Sequence, residues 1–280
     1  MELRAGQTAF ITGGASGIGL AIGRACARRG LSVVVADVEE QAIASAAAEL
    51  EALGASVLPL RCDVRTPEAL DDAARAALDR FGSVHLVCNN AGVVTTGRVE
   101  DQPLDAWQWT IDVDLWGVVH GCRTFLPILK RQGEGHVVNT ASMAGLYAGP
   151  LMAPYYVAKM GVVALSESIW HEARIDASEV GVSVLCPGFV KTRIHQSGRN
   201  RPDALPSDTT GEAGVSFLDM LSTGVEQGID ADGVAAMVLE AVEQRRFWIL
   251  PHGEDSHTAV LRRAQAIVDG ATPPLSRPTD

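Results

Sequence analysis

The order of apolar segments constrains this chain more than any other feature. Seven runs of strand length, Thr8–Thr12, Ser32–Ala36, Ser56–Arg61, His85–Cys88, His136–Thr140, Val182–Leu185 and Phe247–Leu250, punctuate it. Between them lie longer stretches with helical spacing: Gly17–Gly30, an alanine-rich stretch to Leu53, about Thr66–Phe81, about Leu104–Arg131 and about Pro154–Ala177. Many of the strand runs are apolar almost throughout, as in V-V-V-A at 33–36 and V-S-V-L-C at 182–186. A strand with one wet face alternates polar and apolar residues; a continuous apolar run needs both faces covered, as in a parallel sheet. Repeated β-then-α order with right-handed crossovers predicts a doubly wound α/β fold, helices on both faces of a parallel sheet. No linker rich in Pro, Gly or Ser splits residues 1–270, which read as a single domain. The one long polar stretch, Lys191–Gly228, carries Gly198, Pro202, Pro206, Gly211 and Gly214. A loop of that length is usually functional, so residues 189–228 are expected to cover a substrate. The tail 271–280 is expected to be flexible.

Charge narrows the function classes. With 34 acidic against 23 basic residues the net charge is -11, the wrong sign for wrapping a phosphate backbone, so nucleic acid is not an expected partner. No apolar stretch approaches the ~18 residues of a membrane span. The five cysteines are odd in number, unpaired in spacing and mostly in apolar runs, which reads as reduced thiols and a cytoplasmic location. The seven histidines lack ligand spacing, so no metal is expected. His195 and His252 read as surface or loop residues.

After the first strand comes T-G-G-A-S-G-I-G at 12–19, opening a helix. Gly13 permits a tight turn, Gly17 lets the backbone approach a pyrophosphate, and Gly19 lets the helix pack closely. The helix start offers free N–H groups and the positive dipole end, and Ser16 adds a hydroxyl. Gly13, Ser16, Gly17, Ile18 and Gly19 are therefore candidate cofactor contacts. Asp37 ends the second strand eighteen residues beyond Gly19, where a carboxylate can accept from an adenosine ribose and repel a 2′-phosphate. Val38, Glu39 and Glu40 follow it with no cation, so the cofactor expected is NAD; a helix-capping role for Asp37 competes. Asp63, with Val64, ends the third strand near where an adenine amino group would lie; a turn or cap role competes there too. Asn90, Ala91 and Gly92 follow the fourth strand at the sheet edge where α/β proteins bind ligands.

Tyr155 and Lys159 are four apart on an expected helix and share a face. A phenol is a poor base near neutral pH, and a nearby ammonium favours the phenolate. Ser142, thirteen residues earlier at the end of its strand, can hydrogen-bond a substrate oxygen at the same edge. Tyr156 lacks a lysine partner, since residue 160 is Met160.

Together T-G-G-A-S-G-I-G at 12–19, N-N-A-G at 89–92, Ser142, Y-Y-V-A-K at 155–159 and P-G-F-V-K-T at 187–192 resemble the short-chain dehydrogenase/reductase family, over about residues 5–195 and more loosely 229–251. The resemblance implies a single Rossmann-type domain, often a homotetramer, with a dimer as the alternative. It implies that Ser142 orients substrate, that Tyr155 transfers the proton, and that Lys159 lowers the tyrosine pKa and binds ribose. It places Pro187, Gly188, Val190 and Thr192 along a nicotinamide, Val190 through its backbone. One departure stands out: V-D-L-W-G puts Asp114 where the family usually has asparagine. That residue's carbonyl helps hold a water in a proton relay, and an aspartate keeps the carbonyl while losing amide donors.

The expected reaction is hydride transfer between NAD(H) and a secondary alcohol or ketone of medium size, hydrophobic or aryl. Met143, Leu146, Tyr147, Leu151 and Met152 supply an apolar wall, with Phe189 and the 191–228 loop. Trp107, Trp109 and Trp116 read as core or interface packing. Competing within the family are oxoacyl-thioester, steroid or terpenoid, and sugar or polyol substrates. A silent NAD-binding regulator and a Rossmann methyltransferase compete from other classes.

Overall fold

A computed structural model describes residues 1–202 and 209–274. The middle of the expected 189–228 loop, with Pro206, and the last six residues of the expected tail fall outside them. The seven apolar runs form seven strands: β1 (Thr8–Thr12), β2 (Ser32–Asp37), β3 (Val57–Arg61), β4 (Leu86–Asn89), β5 (His136–Thr140), β6 (Gly181–Leu185) and β7 (Trp248–Ile249). They make one parallel sheet in the order β3-β2-β1-β4-β5-β6-β7. This is the doubly wound, Rossmann-type fold, with helices on both faces. Successive residues of a strand point to opposite faces. Ile11, Val33, Val35 and Leu86 enter one core with α1 (Gly17–Arg28), α2 (Glu40–Ala52) and α8 (Ala231–Glu243). Phe10, Val34, Val87 and Val137 enter the other, with α3 (Pro67–Phe81), α5 (Gly117–Gln132) and α6 (Ala153–Ile175). Two apolar cores explain the continuous apolar runs. Edge strand β3 alternates and accommodates Pro59, which cannot donate to a central ladder.

The chain runs outward from β1 to β3, then returns to place β4 on the other side of β1. This reversal opens a crevice at the strands' carboxyl ends, where ligands of such sheets bind. Two helical regions differ from expectation. Leu104–Arg131 is α4 (Leu104–Ile111), a π-helical turn (Asp112–Trp116) and α5, not one uniform helix. The expected loop contains a 3₁₀ segment (Ile194–Asn200) and a full helix, α7 (Gly211–Glu226). Phe217, Leu218, Leu221 and Val225 recur at helical spacing and pack with Val94, Met152, Tyr155 and Ile194, which holds α7 in place. A further helix, α9 (Gly253–Val268), follows β7. All five cysteines are buried and unpaired. No helix among the described residues is long and apolar enough to cross a membrane.

Candidate active site

The crevice holds a cavity of about 940 Å³ that runs from the glycine turn to α7. At the turn, Gly13 and Gly17 have φ of +62° and +53°, a region disfavoured for residues with a Cβ. A Cβ on Gly19 would overlap the Gly13 carbonyl and sit 2.7 Å from Asn90 Nδ2. Gly19 thus lets α1 close on the turn itself as well as on the sheet. Ser16 is the helix N-cap, yet its side chain makes no cap hydrogen bond, and both Ser16 and Ile18 line the cavity. Asn90 is a brace. Its Nδ2 donates to the Thr12 carbonyl at 3.1 Å, while Thr12 Oγ1 accepts from the N–H groups of Asn90 (2.9 Å) and Ala91 (3.1 Å). Ala91 and Gly92 line the cavity beside it.

Asp37 also ties elements together. Its Oδ2 accepts from the Ala15 N–H at 3.1 Å, and its Oδ1 from Val38 (2.7 Å) and Glu39 (3.2 Å). The N-cap of α2 is Glu39, so Asp37 does not occupy the capping position. The Asp63 carboxylate is gripped by Arg65, with Nη2 at 2.6 Å. Burial works to raise its pKa, but Arg65 prevails and holds it below the usual carboxylate range. The Val64 carbonyl faces His120 Nδ1 at 3.0 Å. Glu39 pairs with Arg199 and Asn200, which ties the 194–200 segment to the start of α2.

Farther along, Ser142, Tyr155 and Lys159 meet at the ends of β5 and α6. Ser142 begins a short 3₁₀ turn; its Oγ accepts from the Ala144 N–H at 3.1 Å and donates to the Pro187 carbonyl at 3.2 Å. Lys159 is buried, its Nζ donating to the Thr140 carbonyl at 3.1 Å and lying 5.5 Å from the centre of the Tyr155 ring. Asp114, fully buried on the π-turn, sits 3.4 Å from that same Nζ. Burial raises the Tyr155 pKa above the ordinary phenol value and Asp114 raises it further, while a hydrogen bond with Ser142 works to lower it. The Asp114 pKa is itself raised by burial, against the pull of Lys159 and the Val93 N–H.

A model of the short chain dehydrogenase family matches residues 7–203. The chain is 40% identical to a crystal structure of a short-chain dehydrogenase/reductase from Burkholderia phymatum in complex with NAD, with a TM-score of 0.95 over 99% of this chain and 100% of that one. It is 35% identical to a 1-deoxy-11-beta-hydroxypentalenate dehydrogenase of Streptomyces exfoliatus, covering 89% of this chain and 84% of the relative. It is 33% identical to a C alpha-dehydrogenase of Sphingobium sp. strain SYK-6, covering 97% and 88%. The chain belongs to the short-chain dehydrogenase/reductase family. It is an oxidoreductase of the class that acts on CH–OH groups.

In this short-chain dehydrogenase/reductase the far end of the cavity is lined by Trp109, Met143, Tyr147, Met152, Phe217 and Leu221, among others. Trp109 is thus both core and cavity wall, while Trp116 is 47% exposed. The segment after β6 follows the same wall. Val190 forms a bridge with Ile229 that uses the Phe189 carbonyl and the Lys191 N–H, leaving the Val190 N–H and carbonyl out of it. Thr192 packs against Gly17.

His252, which reads from sequence as a surface residue, is the residue that sequence reasoning missed. Its Nδ1 accepts from the Gly188 N–H at 3.0 Å and its Nε2 lies 3.0 Å from the Phe189 carbonyl. Because Nδ1 accepts, Nε2 is the donor, and the two bonds clamp the Pro187–Val190 turn at the cavity wall. A Cβ on Gly188 would sit 3.2 Å from the ring. His252→Ala is expected to raise the cofactor KM by about tenfold, the cost of roughly one or two hydrogen bonds, with a smaller change in kcat. Initial rates over a cofactor series check this; an unchanged KM would remove the clamp from the account.

Proposed function

We propose that this protein transfers a hydride between NAD(H) and a secondary alcohol or its ketone, of medium size and hydrophobic or aryl character. The observation that carries this reading is the convergence of Ser142, Tyr155 and Lys159 on one cavity that also contains the glycine turn and Asp37. The turn fits a dinucleotide, because Gly13, Ser16, Gly17 and Ile18 line the cavity at the N-terminus of α1, whose free N–H groups suit a phosphate, and the Ser16 side chain makes no cap hydrogen bond. Gly13, Ser16, Gly17, Ile18 and Gly19 would hold the pyrophosphate and Asp37 the adenosine ribose, with Asp63 and Val64 beside the adenine. Asn90, Ala91, Gly92, Pro187, Gly188, Val190 and Thr192 would line the nicotinamide half.

Charge supports NAD over NADP. Arg65 and Arg199 at the adenosine end are each held by a carboxylate, Asp63 at 2.6 Å and Glu39 at 2.7 Å, and Arg193 donates to Gln196 at 3.1 Å. Asp37 would repel a 2′-phosphate there.

The bound cofactor supplies the hydride acceptor for oxidation and the donor for reduction. Ser142 hydrogen-bonds the substrate oxygen and fixes the carbinol carbon. Tyr155 takes the hydroxyl proton in oxidation and returns it in reduction. Lys159 holds its charge beside the phenol, favouring the phenolate against burial. The apolar wall excludes water and selects for hydrophobic substrates.

The test is NADH formation at 340 nm over a panel of aryl and alicyclic secondary alcohols, with the matching ketones in reverse. Turnover with NAD+ is expected at a kcat/KM about 100-fold or more above NADP+, since a like-charge contact costs several kcal/mol. Cofactor binding without turnover of any panel member would favour a silent NAD-binding module.

A further inference from the structure

Asp114 is the most deeply buried carboxylate in contact with the catalytic residues. It lies on the π-turn 112–116, fully out of solvent. Its Oδ1 accepts from the Val93 N–H at 2.8 Å. Its Oδ2 makes no hydrogen bond and points toward Lys159 Nζ, 3.4 Å away. The ammonium spends one hydrogen bond on the Thr140 carbonyl. An amide at this position would serve Val93 equally well but would turn N–H donors or a neutral oxygen toward the lysine. A carboxylate brings a charge, and the buried setting leaves that charge little screened.

We propose that Asp114 is a titrating partner of Lys159 that sets the pH at which Tyr155 works: its carboxylate offsets the ammonium charge felt by the phenol, and its protonation restores that charge. The proposal rests on Tyr155 as the proton-transfer residue. With Asp114 ionised, the phenol faces a neutral pair whose negative member opposes the phenolate. With Asp114 protonated, the phenol faces an uncompensated cation. The Tyr155 pKa is raised chiefly by burial and next by Asp114, whose contribution agrees in sign.

Few other charges act there. Tyr155 and Lys159 both come from α6, and Cys186 follows β6 with its thiol pushed up to about 12 by burial, so it is neutral. The facing stretch Asn90–Val93 carries no ionisable side chain. On α4, Asp105 is exposed. Asp112 of the π-turn accepts from Gln108, and His120 of α5 contacts the Val64 carbonyl.

Oxidation needs the phenolate, so the rising limb of kcat/KM against pH reports Tyr155 with the cofactor bound. Asp114→Asn removes the charge and keeps an acceptor for Val93; Asp114→Ala removes both. Both variants are expected to move the limb to lower pH by about one unit, the usual effect of one nearby charge. The plateau rate should fall further in Asp114→Ala than in Asp114→Asn. A limb that stays in place in Asp114→Asn, or moves only in Asp114→Ala, overturns the proposal, because the effect would then follow packing and not charge. Phenol absorbance titration, after subtraction of the Tyr155→Phe curve, should give Tyr155 a lower pKa in Asp114→Asn than in the wild type; equal values overturn the proposal. If Tyr155→Phe is as active as wild type, the underlying reading of the site fails. If Tyr155→Phe is inactive and the Asp114→Asn limb is unmoved, only this inference fails.

Discussion

Tyr155→Phe is expected to reduce kcat by about 10²–10⁴-fold, the range contributed by a positioned proton-transfer group. The loss should fall on kcat and kcat/KM for the alcohol together, since the hydroxyl acts in the transition state and contributes little to ground-state binding. NAD affinity should change by less than about tenfold, because the ring remains and only the phenolic oxygen is lost. Lys159 and Ser142 keep their own anchors, the Thr140 carbonyl and the Ala144 N–H. Steady-state rates at 340 nm and calorimetric titration with NAD separate the two quantities. Full activity in the variant would remove Tyr155 from the chemistry. Lost NAD binding would show that the substitution disturbs the cavity as a whole.

The second large effect concerns stability in acid. His136, fully buried at the start of β5, faces the Ser183 hydroxyl at 2.8 Å, and that hydroxyl donates to the Arg246 carbonyl at 2.6 Å. Nε2 therefore carries the hydrogen. Burial, with lesser contributions from the N-terminus and Arg245, lowers the His136 pKa from 6.5 to about 3. A depressed histidine pKa means that the unfolded chain takes up a proton the folded chain refuses. Stability should be complete above pH 6.5 and fall as the pH drops toward 3, by about 1.4 kcal/mol per pH unit. His85, whose pKa burial also lowers, adds to the slope. Asp63 and Glu39, held low by Arg65 and Arg199, contribute only nearer the carboxylate range. Asp114, whose pKa burial raises, works with the opposite sign, so the share of His136 is the difference between wild type and His136→Gln in urea unfolding between pH 7 and 5. His136→Gln should flatten the curve there; a slope as steep as the wild type's would assign the effect elsewhere.

The fold was legible because burial on both faces writes itself into sequence. Val33, Val34, Val35 and Ala36 feed two cores and so appear as an unbroken run. The α7 helix was not legible. Gly214, Gly224 and several serines lower its intrinsic propensity, and it is held by apolar contacts with residues far away in sequence. The glycine turn and the Ser142, Tyr155 and Lys159 set were readable because their spacing fixes which end of the sheet they share. His252 was not, since its partners Gly188 and Phe189 meet it only after β7 and α9 are in place. Asp114 could be recognised as a departure, but its pairing with Lys159 depends on the π-turn, which has no clear sequence signature. For the same reason the direction of the Tyr155 pKa could not be read from the i,i+4 lysine alone.

The 194–200 segment reaches both ends of the cavity. Ser197 exchanges hydrogen bonds with the backbone of Val94, which packs with Tyr155, and Arg199 and Asn200 hold Glu39 beside the proposed adenosine end. One stretch of backbone thus borders both of the positions proposed for ligands. If the first to arrive orders it, the second meets a surface whose ordering cost is already met, so the two associations are linked. That linkage is reciprocal: whatever factor the nucleotide adds to substrate affinity, the substrate must return to nucleotide affinity.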